Sequence, residues 1–430
     1  MVRRIITNTS FSGAGPPLFT SSGYAPIISC DRSHGNYDMC SINGPTVFDP
    51  KTATFYAIGP TDPTRPVVEK LLPYPAKNLS IGPIQTVTLT SGPSGPPCMV
   101  QHKAPALAFS VGGYVGRNFF HAFIDAFIPL FVTLNSIAPD DPAGFVFVLI
   151  DYREFDRKYT DLLRSLSRHP VVGLDDDTTT THCFPSATAG LISHGFMTID
   201  PKLIPNSKTS KHFHSLMYET YCDPPSLPET ALKPRRPRLL RPSLPEAALK
   251  PKRPRLLLMG RSGGGGRVIL NQGELRRVAE EVGFEVVEYE PKYQTTMRAL
   301  CELVSSSHAM LGVHGAGLTN SLFLRPGAVL VQVVGIGLEV VAELCFGRAA
   351  RDMGLEYMEY QIGVEESTLV DRFGKDDVLV KDPRAIYVHW YDEIMKVYLK
   401  QQNVDLDLAR MRGCLKTAYE KAKIAMLKET

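Results

Sequence analysis

Along the second half of the chain, short apolar runs alternate with segments of helical period. RLLLMG (255–260) predicts a buried strand, and residues 271–282 an amphipathic helix with Asn271 and Glu274 spaced as a capping box and Gly283 at its end. EVVEYE (285–290) predicts a strand, 295–305 a helix, and HAMLGV (308–313) a strand that runs into HGAGLTN and another short helix. AVLVQVV (328–334) follows as a strand, 338–353 as a helix and EYMEYQI (356–362) as a strand. Strands and helices alternating through short connections predict a parallel, doubly wound sheet of Rossmann type. A helix over 385–403 and a polar C-terminal helix complete this half.

The first half is less regular. About 25 residues rich in Gly, Pro, Ser and Thr open the chain and predict no fixed structure. From residue 26 to about 222 the pattern is mixed, with apolar runs at 107–111 and 145–150 and a strongly apolar helical stretch between them. SLPETALKPRRPRLL (226–240) then recurs as SLPEAALKPKRPRLL (243–257). Two proline-filled copies are too few to build a repeat core, so this predicts a duplicated linker whose end becomes the strand at 255. The organisation expected is a flexible segment (1–25), an N-terminal domain (26–225), the linker (226–254), a C-terminal Rossmann domain (255–384) and C-terminal helices (385–430).

The length of 430 residues fits two or three domains, and 43% hydrophobic with 21% charged residues excludes a disordered, collagen-like or coiled-coil chain. Residues 226–257 hold nine basic and two acidic side chains, a local +7 against a formal net charge of +3 for the whole. The basic block is therefore local, and a nucleic-acid partner is not expected. No run of apolar residues reaches the roughly 18 to 20 of a membrane helix, and the opening residues lack the apolar core of a signal peptide or anchor, so the chain reads as soluble. Eight cysteines include no Cys-x-x-Cys pair; Cys30 and Cys40 bracket a short polar loop as a small disulfide would. Asn8 and Asn78 head glycosylation sequons, weak evidence in a chain this long.

Three features carry candidate chemistry. His314-Gly315-Ala316-Gly317-Leu318-Thr319-Asn320 lies at the carboxyl end of a predicted strand and opens a helix, where ligands bind in open α/β sheets. Its glycines admit a phosphate, and His314 and Asn320 can donate; a tight packing turn is the other reading, and spacing leaves both open. Arg261 and Arg267 flank a glycine run after another strand, suited to a diphosphate or to a flexible surface loop. His121 and Asp125 lie four apart on one helical face in GGYVGRNFFHAFIDAFIPLF (112–131), so the carboxylate can orient the imidazole as a base; a satisfied core pair has the same spacing. Asp175-Asp176-Asp177 reads as a hydrated loop and Asp405-Leu406-Asp407 as a helix cap, so no metal is assigned.

These segments, with CDRSHGNYDMC, MGRSGGGGRVILNQGEL, GVHGAGLTNSLFLRPGAVLVQVV, FGRAARDMGLEYMEY, EESTL and QQNVDLDLARM, occur in an order that resembles plant glycosyltransferase family 61, over roughly residues 26–420. The closer likeness is to its xylan arabinofuranosyltransferases and xylan β-1,2-xylosyltransferases. The resemblance implies α/β architecture of the GT-B type, two Rossmann-like domains facing across a cleft, with an acceptor-side N-terminal domain and a nucleotide-sugar-binding C-terminal one. It implies inverting transfer of a pentose from a UDP-sugar to xylan in the Golgi lumen, without an essential metal or other cofactor. His121 and Asp125 would be catalytic; Arg261, Arg267, His314, Gly315, Ala316, Gly317 and Asn320 would hold the UDP. A non-catalytic member that binds a glycan or a partner Golgi glycosyltransferase is the alternative.

Overall fold

The computed structural model describes residues 27–59, 66–75, 84–92, 95–111, 118–150, 156–174, 178–223, 253–262, 265–292, 294–383 and 394–428. The opening segment, both sequon asparagines, Asp175-Asp176-Asp177, the linker as far as residue 252 and residues 385–393 of the helix expected over 385–403 lie outside these residues, and Ile394–Tyr398 of that helix is a π turn. The chain divides into one unit of Met1–His214 with Leu344–Asp352, and a second of Ser215–Glu343 with Met353–Thr430.

The first unit holds strands β1 (Ile28–Asp31), β2 (Met39–Ile42), β3 (Thr46–Asp49), β4 (Thr54–Ala57), β5 (Val68–Leu71), β6 (Val87–Thr90), β7 (Val100–Gln101), β8 (Ala106–Ser110), β9 (Val146–Ile150), β10 (Val172–Gly173), β11 (His182–Phe184) and β12 (Ala187–Ala189). They form two mixed sheets, ordered β1-β2-β12-β8-β9-β10 and β5-β6-β4-β3-β11-β7. Within the first sheet, β12, β8, β9 and β10 run parallel. Helix α1 (Phe119–Ile137) connects β8 to β9, and α2 (Asp156–Leu166) connects β9 to β10. This β-α-β-α-β stretch is the Rossmann-like part of the unit; β1, β2 and the second sheet pair largely antiparallel and depart from a single doubly wound sheet. One core joins Phe48, Phe55 and Leu89 of the second sheet with Ile42, Ala106 and Val148 of the first.

The apolar stretch before β9 is this unit's central helix. By length and hydropathy alone α1 passes as a membrane span, yet 78% of its apolar window is buried among the unit's own side chains. Phe123 and Phe127 lie edge-on or tilted against Tyr159 of α2, and Phe131 against Phe213. Its middle, Ala122–Phe127, is wound as a π-helix rather than an α-helix.

The second unit is the parallel sheet that the rhythm after residue 254 predicts. Strands β13 (Arg255–Met259), β14 (Glu285–Tyr289), β15 (Ala309–Val313), β16 (Val329–Val334) and β17 (Glu356–Gln361) are ordered β14-β13-β15-β16-β17, every pairing parallel. β15 and β16 are apolar almost throughout because both faces are covered. Helix α3 (Ser210–Tyr221) carries the chain into this unit, where α4 (Gln272–Val282), α5 (Met297–Ser305) and the C-terminal α6 (Leu408–Lys428) follow. Leu275, Val278 and Ala279 of α4 share a core with Met411, Leu415 and Ala418 of α6.

Three local expectations change. Asn271 does not close a capping box: its amide donates to the Leu406 carbonyl at 2.8 Å and accepts from the Leu406 N–H at 3.1 Å, a partner 135 residues away. The helix expected over 338–353 is broken into Glu339–Ala342, a π turn Glu343–Gly347 and Arg348–Asp352. The turn after His314 winds as a 3-10 helix, Ala316–Phe323. Asp407, by contrast, does cap α6, accepting from the N–H groups of Ala409 and Arg410.

Cys30 and Cys40 face each other across β1 and β2 and are bonded, as expected from the loop they bracket; Cys98–Cys183 and Cys222–Cys301 are further disulfides. Cys345 and Cys414 are free thiols. Alkylating the denatured but unreduced protein should therefore label Cys345 and Cys414 alone. Peptide mapping that found label on Cys98 or Cys222 would break this map.

Candidate functional site

In the second unit the strand order reverses between β13 and β15, whose neighbours β14 and β16 lie on opposite sides. Open α/β sheets bind ligands beyond the carboxyl ends of the strands at such a switch point. Here those ends are Met259, followed by Gly260 and Arg261, and Val313, followed by His314 and Gly315. Glu290, just past β14, accepts from the Ser262 N–H at 2.7 Å and its hydroxyl at 2.5 Å, which fixes the loop that carries Arg261. Those two hydrogen bonds hold the Glu290 carboxyl below its usual range, so it stays ionised.

Both arginines converge on Gly315. A Cβ there would lie 2.9 Å from Arg267 Nη1 and 3.5 Å from Arg261 Nη1, which places both guanidinium groups against this turn. Arg267 Nη1 donates to the His314 carbonyl at 3.2 Å, while its Nε is buried with no hydrogen-bond partner among the described residues. Burial, and then the charge of Arg261, pull the Arg267 guanidinium down to about 10. Two neighbouring cations, one with an unanswered N–H, are a pair that an anion would relieve.

His314 is buried, and its Nδ1 lies 2.7 Å from Gln332 Nε2. A carboxamide nitrogen only donates, so Nδ1 is the acceptor and Nε2 carries the ring proton. Gln332 is held in turn by the Tyr357 hydroxyl, 2.9 Å from its Oε1. Burial, and then Arg267, push the His314 imidazole down to about 3, so it stays neutral. Ala316 and Gly317 start the 3-10 turn. Asn320 is turned inward instead: its amide donates to the Gly317 carbonyl at 2.7 Å and locks the turn.

The first unit joins His121 and Asp125 directly, Nδ1 to Oδ2 at 2.7 Å. The Tyr74 hydroxyl donates to the same oxygen at 2.5 Å, a partner that no spacing in the sequence signals, 51 residues away. Burial, and then Asp125, push the Tyr74 hydroxyl far above the phenol range, so it remains a donor. With Nδ1–H given to the carboxylate, His121 keeps its lone pair on Nε2. Asp125 is buried while a third of the His121 side chain is exposed, so the acid orients and the imidazole faces outward. The pair stands at the start of the π segment, an irregularity frequent at functional sites.

The family model for Glycosyltransferase 61 matches residues 119–331, from α1 through β16. The chain is 33% identical to the rice α-1,3-arabinosyltransferase XAT2 over 90% of its own length and 63% of that relative. It is 32% identical to the xylan glycosyltransferase MUCI21 of Arabidopsis thaliana, over 92% of the chain and 80% of the relative. To the rice β-1,2-xylosyltransferase XAX1 it is 34% identical, over 92% of the chain and 68% of the relative.

The buried imidazole gives a pH signature. The value of about 3 for folded His314 lies below its ordinary 6.5, so between them the unfolded chain binds a proton that the folded chain refuses. Stability then rises with pH across this window and is lost as pH falls from about 6.5 towards about 3. Replacing His314 with Gln removes that component and leaves in place His194, which burial pulls down to about 4. Denaturation between pH 6.5 and pH 4 should show a shallower slope for His314→Gln than for wild type. Equal slopes would mean that His314 accepts a proton in the folded state.

Proposed function

The chain belongs to glycosyltransferase family 61, and on that premise we propose that it transfers a pentose, arabinofuranose or xylose, from a UDP-sugar to a hydroxyl of xylan with inversion at the anomeric carbon. The convergence of Arg261 and Arg267 on Gly315 at the switch point carries this reading. A diphosphate leaving group is the anion that such a pair fits, and guanidinium groups bind phosphate oxygens in pairs. The relatives' names supply the pentose and the xylan.

The acceptor hydroxyl gives its proton to His121 Nε2 as its oxygen bonds to the anomeric carbon from the face opposite the diphosphate. Asp125, steadied by Tyr74, supports the positive charge that forms on the ring. The bond from the anomeric carbon to the β-phosphate oxygen breaks, and its electron pair stays on the UDP. Arg261 and Arg267 meet that charge in place of a divalent cation, with the Nε2–H of neutral His314 as a further donor. In this reading His121 with Asp125 serves the acceptor hydroxyl, and Arg261 with Arg267 serves the leaving group. The disulfides suit the oxidising Golgi lumen.

The test is incubation of protein secreted from a eukaryotic host with xylohexaose and each UDP-pentose in turn, followed by mass and linkage analysis. One pentose added, with UDP released, is the expected outcome; UDP binding without transfer would favour a non-catalytic glycan binder. His121→Ala should bind UDP as wild type does and lose roughly 10²- to 10⁴-fold in transfer. His314→Ala should lose UDP affinity and about 10²-fold in rate together. Calorimetric titration giving wild-type UDP affinity for His314→Ala would overturn the role given to that ring.

A further inference from the structure

The segment QQNVDLDLARM has no place in the chemistry above, yet it runs beside Arg267. Arg267 has a left-handed backbone, φ 62°, and follows Gly266 at φ 65°. A Cβ at Gly266 would lie 2.7 Å from the backbone carbon and oxygen of Lys400, so the two strands of chain are in direct contact. The Arg267 N–H donates to the Gln402 carbonyl at 2.5 Å, and the Val404 and Leu270 N–H groups close a short parallel ladder with Val268 and Val404. Between them the Asn403 side chain accepts the Val268 N–H at 3.1 Å.

Residues 401–406 are themselves anchored from the far side. The Thr368 N–H donates to the Asn403 carbonyl, and the Thr368 hydroxyl accepts the Asn403 N–H at 2.9 Å. Buried Glu366 accepts the Asp407 N–H at 2.7 Å, the Tyr360 hydroxyl at 2.6 Å, the Gly363 N–H at 2.6 Å and a guanidinium N–H of Arg410. Gln402 donates to the Ile336 carbonyl, beyond the end of β16, at 3.1 Å.

We propose that Asn403 is a positioning residue for Arg267: its side-chain carbonyl holds the Val268 N–H and thereby fixes the left-handed turn that aims the Arg267 guanidinium at the diphosphate. The proposal rests on the reading of Arg261 and Arg267 as the diphosphate site. A left-handed non-glycine residue is strained and persists only where its surroundings impose it. Opposite Val268 the imposing contact is one side-chain oxygen. Aspartate can replace that oxygen; leucine, of similar size, cannot.

The experiment compares Asn403→Leu and Asn403→Asp in the full chain by UDP calorimetry, thermal melting and hydrogen–deuterium exchange of the peptide covering 266–270. Asn403→Leu should weaken UDP binding about tenfold, the equivalent of one lost hydrogen bond. Exchange at 266–270 should rise in that variant, and Asn403→Asp should restore both readouts to within about threefold of wild type. In an Arg267→Ala background, Asn403→Leu should add no further loss of affinity, since the two act through one interaction. Wild-type affinity and wild-type exchange in Asn403→Leu would overturn the proposal, as would a lowered melting temperature with unchanged affinity per folded molecule. If wild type binds no UDP, the diphosphate reading fails by itself. Exchange at 266–270 then still decides whether Asn403 holds the turn.

Discussion

The N–H of Arg267 given to the carbonyl of Gln402 is the contact on which the arginine pair of the second unit depends. Arg267 ends a glycine run, where a long cationic side chain would otherwise sample many directions. That hydrogen bond and the Asn403 oxygen on the Val268 N–H together hold its backbone in a left-handed conformation, and the guanidinium lies against the His314 carbonyl and Gly315. From that contact the requirement passes outward. Gly266 must lack a side chain so that Lys400 can approach, and Glu366 must be buried under four donors so that the segment leading into α6 stays in place. Four donors on one carboxylate replace most of the hydration it loses, which is the condition for burying a charge.

What the sequence revealed follows from the range of the interactions involved. The inner strands β13, β15 and β16 of the second unit are nearly continuous apolar runs, as strands covered on both faces are, and each announces itself within five or six residues. The first unit's strands β1 to β7 are two to four residues long and mix polar with apolar positions, so local pattern carries little of their pairing. The His121–Asp125 contact was legible because it repeats at the pitch of a helix. Tyr74, the partner that completes it, comes from a separate loop and leaves no mark in the spacing. Asn271 shows the converse: its position and Glu274 satisfy a local capping rule, but a longer-range partner, Leu406, claims the amide. Asn320 is a similar case, a donor by composition that its own turn consumes.

The two histidines at the candidate sites show how neighbours choose a role for one side chain. Each has its Nδ1 engaged at 2.7 Å, and the chemistry of the engaging group decides what the other nitrogen can do. At His121 the neighbour is a carboxylate oxygen, which only accepts; the ring gives it Nδ1–H and keeps a lone pair on Nε2, ready to take a proton. At His314 the neighbour is a carboxamide nitrogen, which only donates; the ring must accept at Nδ1 and carry its proton on Nε2.

Charge reinforces the division. Asp125 sets a carboxylate beside the His121 ring. Arg267 beside His314, with burial, opposes a positive ring and holds that imidazole neutral. A protonated His314 would add a third cation beside Arg261 and Arg267. A neutral donor gives direction without further charge. Gln332, a buried polar residue in the middle of the otherwise apolar β16, is thereby explained: it occupies the one strand position from which a donor can reach His314 Nδ1, and the Tyr357 hydroxyl keeps its carbonyl satisfied while it does so.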